Sequence, residues 1–237
     1  MKKAQLAFLT AISIIGMASC GTSGKTIDTA AVTSAESSFS VVEDSSQSEP
    51  SAAEETAADT AWDEPIDENT YFNSCYLVHL DPEKWQSTAE YKDKLEKRVE
   101  YYSGGKVTAE DCAGDIMFNY AVPCEDGKIP NIVFSEPVYY EKYKDNTVAD
   151  IKDKVLRDIK SDCSEMGLTF ESDEMVKIAN IDCLKTVVTV SLGDNHVKTE
   201  QYLFLYKGNM CSIVVASAGS EEAAADAMKV IENIKLK

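Results

Sequence analysis

Only two histidines occur in the 237 residues, His79 and His196, so little in this chain matches a catalytic or metal-binding pattern. Zinc draws on three or four convergent His or Cys ligands at short spacings, and the sequence holds neither CxxC nor HxxxH. There is no GxSxG elbow and no glycine loop of the phosphate-cradling kind. The acidic clusters Glu171-Asp173-Glu174 and Glu110-Asp111-Asp115 offer oxygen ligands to calcium, but neither follows the spaced loop with a central glycine. The expectation is therefore no catalytic residue, no metal and no cofactor. An enzyme would need a site assembled from distant positions.

Tyrosine is the residue type that stands out as a binding element. Tyr139, Tyr140 and Tyr143 fall within five residues, and Tyr101-Tyr102 form a second pair. Exposed tyrosines present flat contact area at low entropic cost, as at protein interfaces and sugar-binding surfaces. Either Tyr139, Tyr140 and Tyr143 belong to a partner surface, or two of them pack on the helix that follows.

Seven cysteines are present, and Cys20 differs from the rest in context. The other six are Cys75, Cys112, Cys124, Cys163, Cys183 and Cys211, an even number that invites disulfides outside the cell. Cys112 and Cys124 flank a strand of about eight residues, whose length separates them beyond the 7 Å that a bridge allows. Cys183 and Cys211 lie on the first and third strands of a meander, about 9.6 Å apart. Cys163 sits on an apolar helix stripe, where a thiol acts as a small apolar group. Reduced, buried cysteines are the expectation, with other pairings left open.

Cys20 follows Lys2-Lys3 and an uncharged, mostly apolar run from Ala4 to Ala18, the order of an export signal. As a helix, Leu6 to Ala18 would span about 20 Å against a hydrocarbon layer of about 30 Å, so cleavage is expected rather than a permanent span. Met17-Ala18-Ser19-Cys20-Gly21 resembles the bacterial lipobox, with Met17 where leucine is usual. The resemblance implies a signal peptide over residues 1–19 and a diacylated Cys20 at the mature N-terminus. Two acyl chains suffice for stable anchoring, so the implied location is the outer face of a bacterial membrane, at the surface of a Gram-positive cell.

The chain carries a net charge of −18, and the acidity is divided unevenly. Residues 21–70 hold one basic and twelve acidic side chains; residues 71–237 hold 20 and 29. Nucleic acid and anionic lipid are poor partners for such a surface. From Cys20 to about residue 67 the sequence is rich in Ser, Thr, Ala, Glu and Asp, with no sustained period and few large apolar groups. It reads as a disordered tether, because it buries too little to offset its chain entropy. Whether Trp62 docks on the domain is open.

Residues 68–237 are expected to form one domain. A strand is predicted over Asn73–Leu80, a helix over Pro82–Tyr101 containing Trp85 and Leu95, and strands over Asp115–Val122 and Asn131–Tyr139. Thr147 and Asp150 suit a capping box, ahead of a helix whose stripe is Val148, Ile151, Val155, Ile159, Cys163 and Met166. Four strands follow, over 169–178, 181–192, 197–206 and 210–217, joined by tight polar turns that demand antiparallel neighbours. Ser220 caps a last helix with Ala224, Ala227, Met228, Ile231 and Ile234 on one stripe. The expected class is α+β: a mostly antiparallel sheet of six to seven strands, flanked by helices on both faces in an α/β/α sandwich.

Several stretches resemble the PsbP-like superfamily: Asp81-Pro82-Glu83-Lys84-Trp85, Asn131-Ile132-Val133, Ile181-Asp182-Cys183-Leu184 and Ile231-Glu232-Asn233-Ile234-Lys235-Leu236. The resemblance spans about Tyr71 to Lys237, and Gln86 to Asp111 departs from its usual spacing. It implies a non-enzymatic scaffold for protein contacts and carries over no functional residue. The expectation is thus an envelope lipoprotein that binds an unknown envelope protein or ligand. Its rival is a small-ligand or sugar-binding lipoprotein serving a transporter, against which the lack of two lobes counts.

Overall fold

The computed structural model describes Trp62, residues 65–192 and residues 195–237. The expected signal peptide, Cys20, the expected tether up to residue 61, residues 63–64 and the turn residues 193–194 lie outside the described residues. The domain is α+β, with a large antiparallel sheet, a small three-stranded sheet and helices.

The small sheet pairs β1 (Thr70–Phe72) with β2 (Tyr76–His79), and β2 with the last strand, β11 (Lys235–Leu236). The sequence predicts one strand here, and Asn73 is why there are two. Its side-chain oxygen accepts from the backbone N–H groups of Cys75 at 2.8 Å and Tyr76 at 2.9 Å, which folds the chain back on itself.

Asp81-Pro82 does not open a helix. The Asp81 carbonyl accepts from the N–H groups of Lys84 and Trp85, closing a turn that releases the chain into β3 (Trp85–Ser87). Thr88 then caps α1 (Ala89–Tyr102) by accepting from the N–H of Tyr91. Trp85 is buried, as expected, but on a strand. After the short α2 (Ala109–Cys112) come β4 (Ile116–Tyr120), β5 (Asn131–Phe134) and β6 (Val138–Tyr139). The single strand expected over 131–139 is interrupted at Ser135-Glu136-Pro137, and its two parts pair with different ends of one partner strand.

Thr147 and Asp150 do meet, at 2.9 Å between hydroxyl and carboxylate, but around a 3-10 turn over Ala149–Ile151 that precedes α3 (Lys152–Glu165). The four strands β7 (Thr169–Ile178), β8 (Ile181–Leu192), β9 (Asn195–Tyr206) and β10 (Asn209–Ala216) fall within two residues of expectation. Ser220 caps α4 (Glu221–Glu232) through the N–H of Ala223.

The main sheet runs β3-β4-β5-β10-β9-β8-β7, with β6 beside β10, so it has eight strands rather than six or seven. Side chains alternate across it with period two. Cys183, Phe204, Cys211 and Ile213 face the cluster that contains Tyr91 of α1, Ala227 and Ile231 of α4, and β2. Leu184, Val188, Leu203 and Leu205 face the opposite cluster with Val148, Leu156, Ile159 and Cys163 of the α3 region. The sheet is therefore covered on both faces, by α3 on one and by α1, α4 and the small sheet on the other.

Candidate functional site

Two groups of side chains invite a functional reading: a buried ion pair under α1, and the tyrosines beside α3. Arg98 lies on α1 and has no solvent exposure, which is unusual for a charge and requires partners. Its guanidinium donates to Glu136 Oε2 at 2.8 Å, the Phe72 carbonyl at 3.2 Å and the Cys112 carbonyl at 3.0 Å. It also sits 5.2 Å from the centre of the Tyr71 ring. Glu136 comes from the break between β5 and β6, and its other oxygen accepts from the Tyr102 hydroxyl at 2.8 Å. Burial raises the Tyr102 hydroxyl far above the usual tyrosine range, with the Glu136 charge adding to the rise. One ion pair thus joins α1, β1, α2 and the β5–β6 link.

Asp115, just before β4, borders this group. Burial lifts its carboxyl to about 6, Glu136 adds to the rise, and Ser135 and Lys94 oppose it. Its Oδ2 has no hydrogen-bond partner. A raised carboxyl is a feature of acid–base sites, but catalysis also needs a reacting group aligned with it. Here the neighbouring charges are committed to each other and to backbone carbonyls. The arrangement is a clamp.

The tyrosines divide. Tyr143 packs into the cluster under α3, taking the packing role, and its ring lies 5.9 Å from that of Tyr140. Tyr140 is half-buried; burial raises its hydroxyl, with Tyr143 and then Asp158 of α3 adding to the rise. Tyr139 is also half-buried, donates to the Glu141 carboxylate and lies against Gly208 of the β9–β10 turn. Across α3, Lys152 pairs with Asp173 of β7 at 2.9 Å and Lys160 lies 4.7 Å over the Phe170 ring. The tyrosines and β7 therefore border the same helix. Tyr102 is buried in the clamp, and the half-buried Tyr101 packs on it.

The remaining candidates have local duties. His79 Nδ1 meets the Thr70 hydroxyl at 3.0 Å across the β1–β2 pair. His196 Nδ1 lies 2.9 Å from Ser191 Oγ, a Ser–His contact of the kind nucleophilic catalysis uses. The two are exposed register partners beside the turn of the β8–β9 hairpin, and among the described residues nothing shelters a developing charge there. The acidic clusters do not converge: Asp111 caps Thr108 at 2.7 Å, Glu174 pairs with Lys185 at 3.6 Å, and Glu171 accepts from Thr189. Among the described residues no group of three or more His, Cys, Asp or Glu is placed to hold a metal. No helix there is long and apolar enough to cross a membrane.

Arg98, Glu136 and Tyr71 are not legible as a group in the sequence. Arg98 stands in the charged run Lys94-Leu95-Glu96-Lys97-Arg98, where a basic residue reads as helix surface.

No known protein family matches the chain, and no curated protein matches it. Among solved structures, a Pseudomonas aeruginosa protein of unknown function is similar over 49% of this chain and 81% of its own, at 10% identity and a TM-score of 0.39. A Bacteroides thetaiotaomicron protein is similar over 73% of this chain and 49% of its own, at 14% identity and a TM-score of 0.41.

Proposed function

We propose that this chain is a lipoprotein of a bacterial cell envelope, anchored on the outer face of the membrane through Cys20, whose domain is a non-enzymatic binding or scaffold module of PsbP-like architecture. The anchor is supported by Lys2-Lys3, the apolar run and Ser19-Cys20. The binding role is supported by the surface around α3. There β7, ten residues long, ends the sheet and pairs with β8 alone among the described strands, while the half-buried rings of Tyr140 and Tyr143 follow β6, on the far side of β9 and β8. A free strand edge suits an extended segment of a protein partner through backbone hydrogen bonds, and the rings offer contact area on the same face of the sheet. The charged side chains of β7, including Asp173, Glu174 and Lys177, guard that edge against indiscriminate pairing.

Crosslinking on intact cells, followed by capture and mass spectrometry, tests this reading. The native protein is expected to yield a defined envelope adduct that falls at least tenfold in the variant carrying Tyr140→Ala and Tyr143→Ala. Because Tyr143 also packs, Tyr140→Ala alone serves as the folded control and is expected to lower the yield several-fold. An adduct unchanged in both variants contradicts the assignment of this surface.

A further inference from the structure

We propose that Cys75 and Cys211 are a disulfide site that fastens the small sheet to the large one. Both lie in one core cluster, at 2% and 0% exposure, and the Cys75 thiol adds to the rise that burial gives the Cys211 thiol. The strand registers place them together independently. Cys211 on β10 faces Phe204 on β9, and the Phe204 ring lies 5.6 Å from that of Tyr76, the residue after Cys75. On the other side of Cys75, its carbonyl accepts from the N–H of Lys237, whose own carbonyl accepts from the Tyr206 hydroxyl of β9. The turn bearing Cys75 is thereby held over the β9–β10 pair.

The other thiols are excluded by place. Cys183 also faces Phe204, but from β8, two strand spacings from Cys211, whereas Asn73, which holds the Cys75 N–H, donates to the Tyr71 hydroxyl, and that hydroxyl donates to the carbonyl of Ser135, whose N–H donates to the Ser212 carbonyl on β10 beside Cys211. Cys112 and Cys124 lie outside this cluster, and Cys163 is buried on the opposite face of the sheet.

The chemistry is thiol–disulfide exchange with an external disulfide of the glutathione class. One cysteine thiolate attacks that disulfide, forming a mixed disulfide and releasing one thiol. The second thiolate attacks the protein sulfur of the mixed disulfide and releases the other thiol. Two protein thiols are oxidised, one external disulfide is reduced to two thiols, and the two protons lost by the protein thiols end, by way of solvent, on the two released sulfurs. Burial holds the Cys211 thiol well above the usual range, so the exchange belongs to folding, before the turn closes over β10.

The pairing rests on geometry; its occurrence in the cell rests on the export reading. The reduced, unfolded full chain carrying Cys20→Ser is refolded against oxidised glutathione, then alkylated in denaturant with and without prior reduction. A mass difference of two alkyl groups is expected, mapping to the peptides of Cys75 and Cys211, and reduction lowers Tm by roughly 10 °C. Cys211→Ala abolishes the difference and Cys163→Ala preserves it. A folded product with six free thiols, or a bridge between other cysteines, overturns the proposal. A bridge formed on refolding but absent from protein taken from acid-quenched cells contradicts the export reading, while the pairing stands.

Discussion

The indole Nε1 of Trp62 donates to the backbone oxygen of Asn73 at 3.0 Å, and Asn73 is the residue that folds β1 back onto β2. The ring packs with Phe72, Leu77 and Tyr102, and Lys237 Nζ lies 5.5 Å above it. The first described residue and the last described strand thus meet at the small sheet. The docking that the sequence leaves open is present. Trp62→Ala removes a hydrogen bond and a half-buried ring and is expected to cost about 1–3 kcal/mol. Urea unfolding followed by far-UV circular dichroism measures this; an unchanged midpoint would mean the ring contributes nothing.

The clamp under α1 gives a prediction of asymmetry. Glu136→Ala leaves the Arg98 charge buried without its carboxylate and is expected to cost about 2–4 kcal/mol, the lower part of the range for buried pairs because Glu136 is partly exposed. Adding Arg98→Met to that variant removes the stranded charge and should recover part of the loss. Urea midpoints for the single and double variants decide it, and a double variant less stable than Glu136→Ala would contradict the account.

Asp115 sets a pH dependence. Its folded-state carboxyl is raised to about 6, above its unfolded value, so its contribution is fully present below about pH 4 and is lost as pH rises through about 6. Near neutral pH the ionised form is disfavoured in the fold. Asp115→Asn should therefore stabilise the domain by about 2–3 kcal/mol at pH 7.5 and change little at pH 4. Equal effects at the two pH values would remove burial as the cause.

Gly208 holds the tyrosine side of α3 in place. It has φ of 79° after Lys207 at 48°, the left-handed pair of a tight hairpin. A Cβ there would also come within 2.8 Å of the Tyr139 ring. Gly208→Ala is expected to cost about 1–3 kcal/mol, read by urea unfolding, and Gly127→Ala is its control for backbone strain, having open space around it. Equal costs for the two would mean that Tyr139 does not press on the turn.

The strands β7 to β10 were legible because two local signals agreed, an alternation of apolar residues and polar turns at fixed intervals. The helix at 152–165 was legible from its stripe. The start of the domain was not, because Asp81-Pro82 fits both a helix start and a simple turn, and only the pairing of Trp85 with Tyr120 across β3 and β4 selects the turn. Thr88, three residues before Tyr91, is the local signal that marks the true helix start. The Arg98 clamp left no trace in the sequence, since burial of a charge depends on carbonyls from Phe72 and Cys112 that only the tertiary fold brings near.

The anchor is the claim on which the functional reading depends. Fractionation of cells expressing the native chain or Cys20→Ser, with metabolic labelling by an alkyne fatty acid, tests it most directly. The account predicts that the native protein carries label and stays with membranes through a high-salt wash, while Cys20→Ser carries none and releases a folded domain. An unlabelled native protein, or a Cys20→Ser variant that remains membrane-bound, would contradict it.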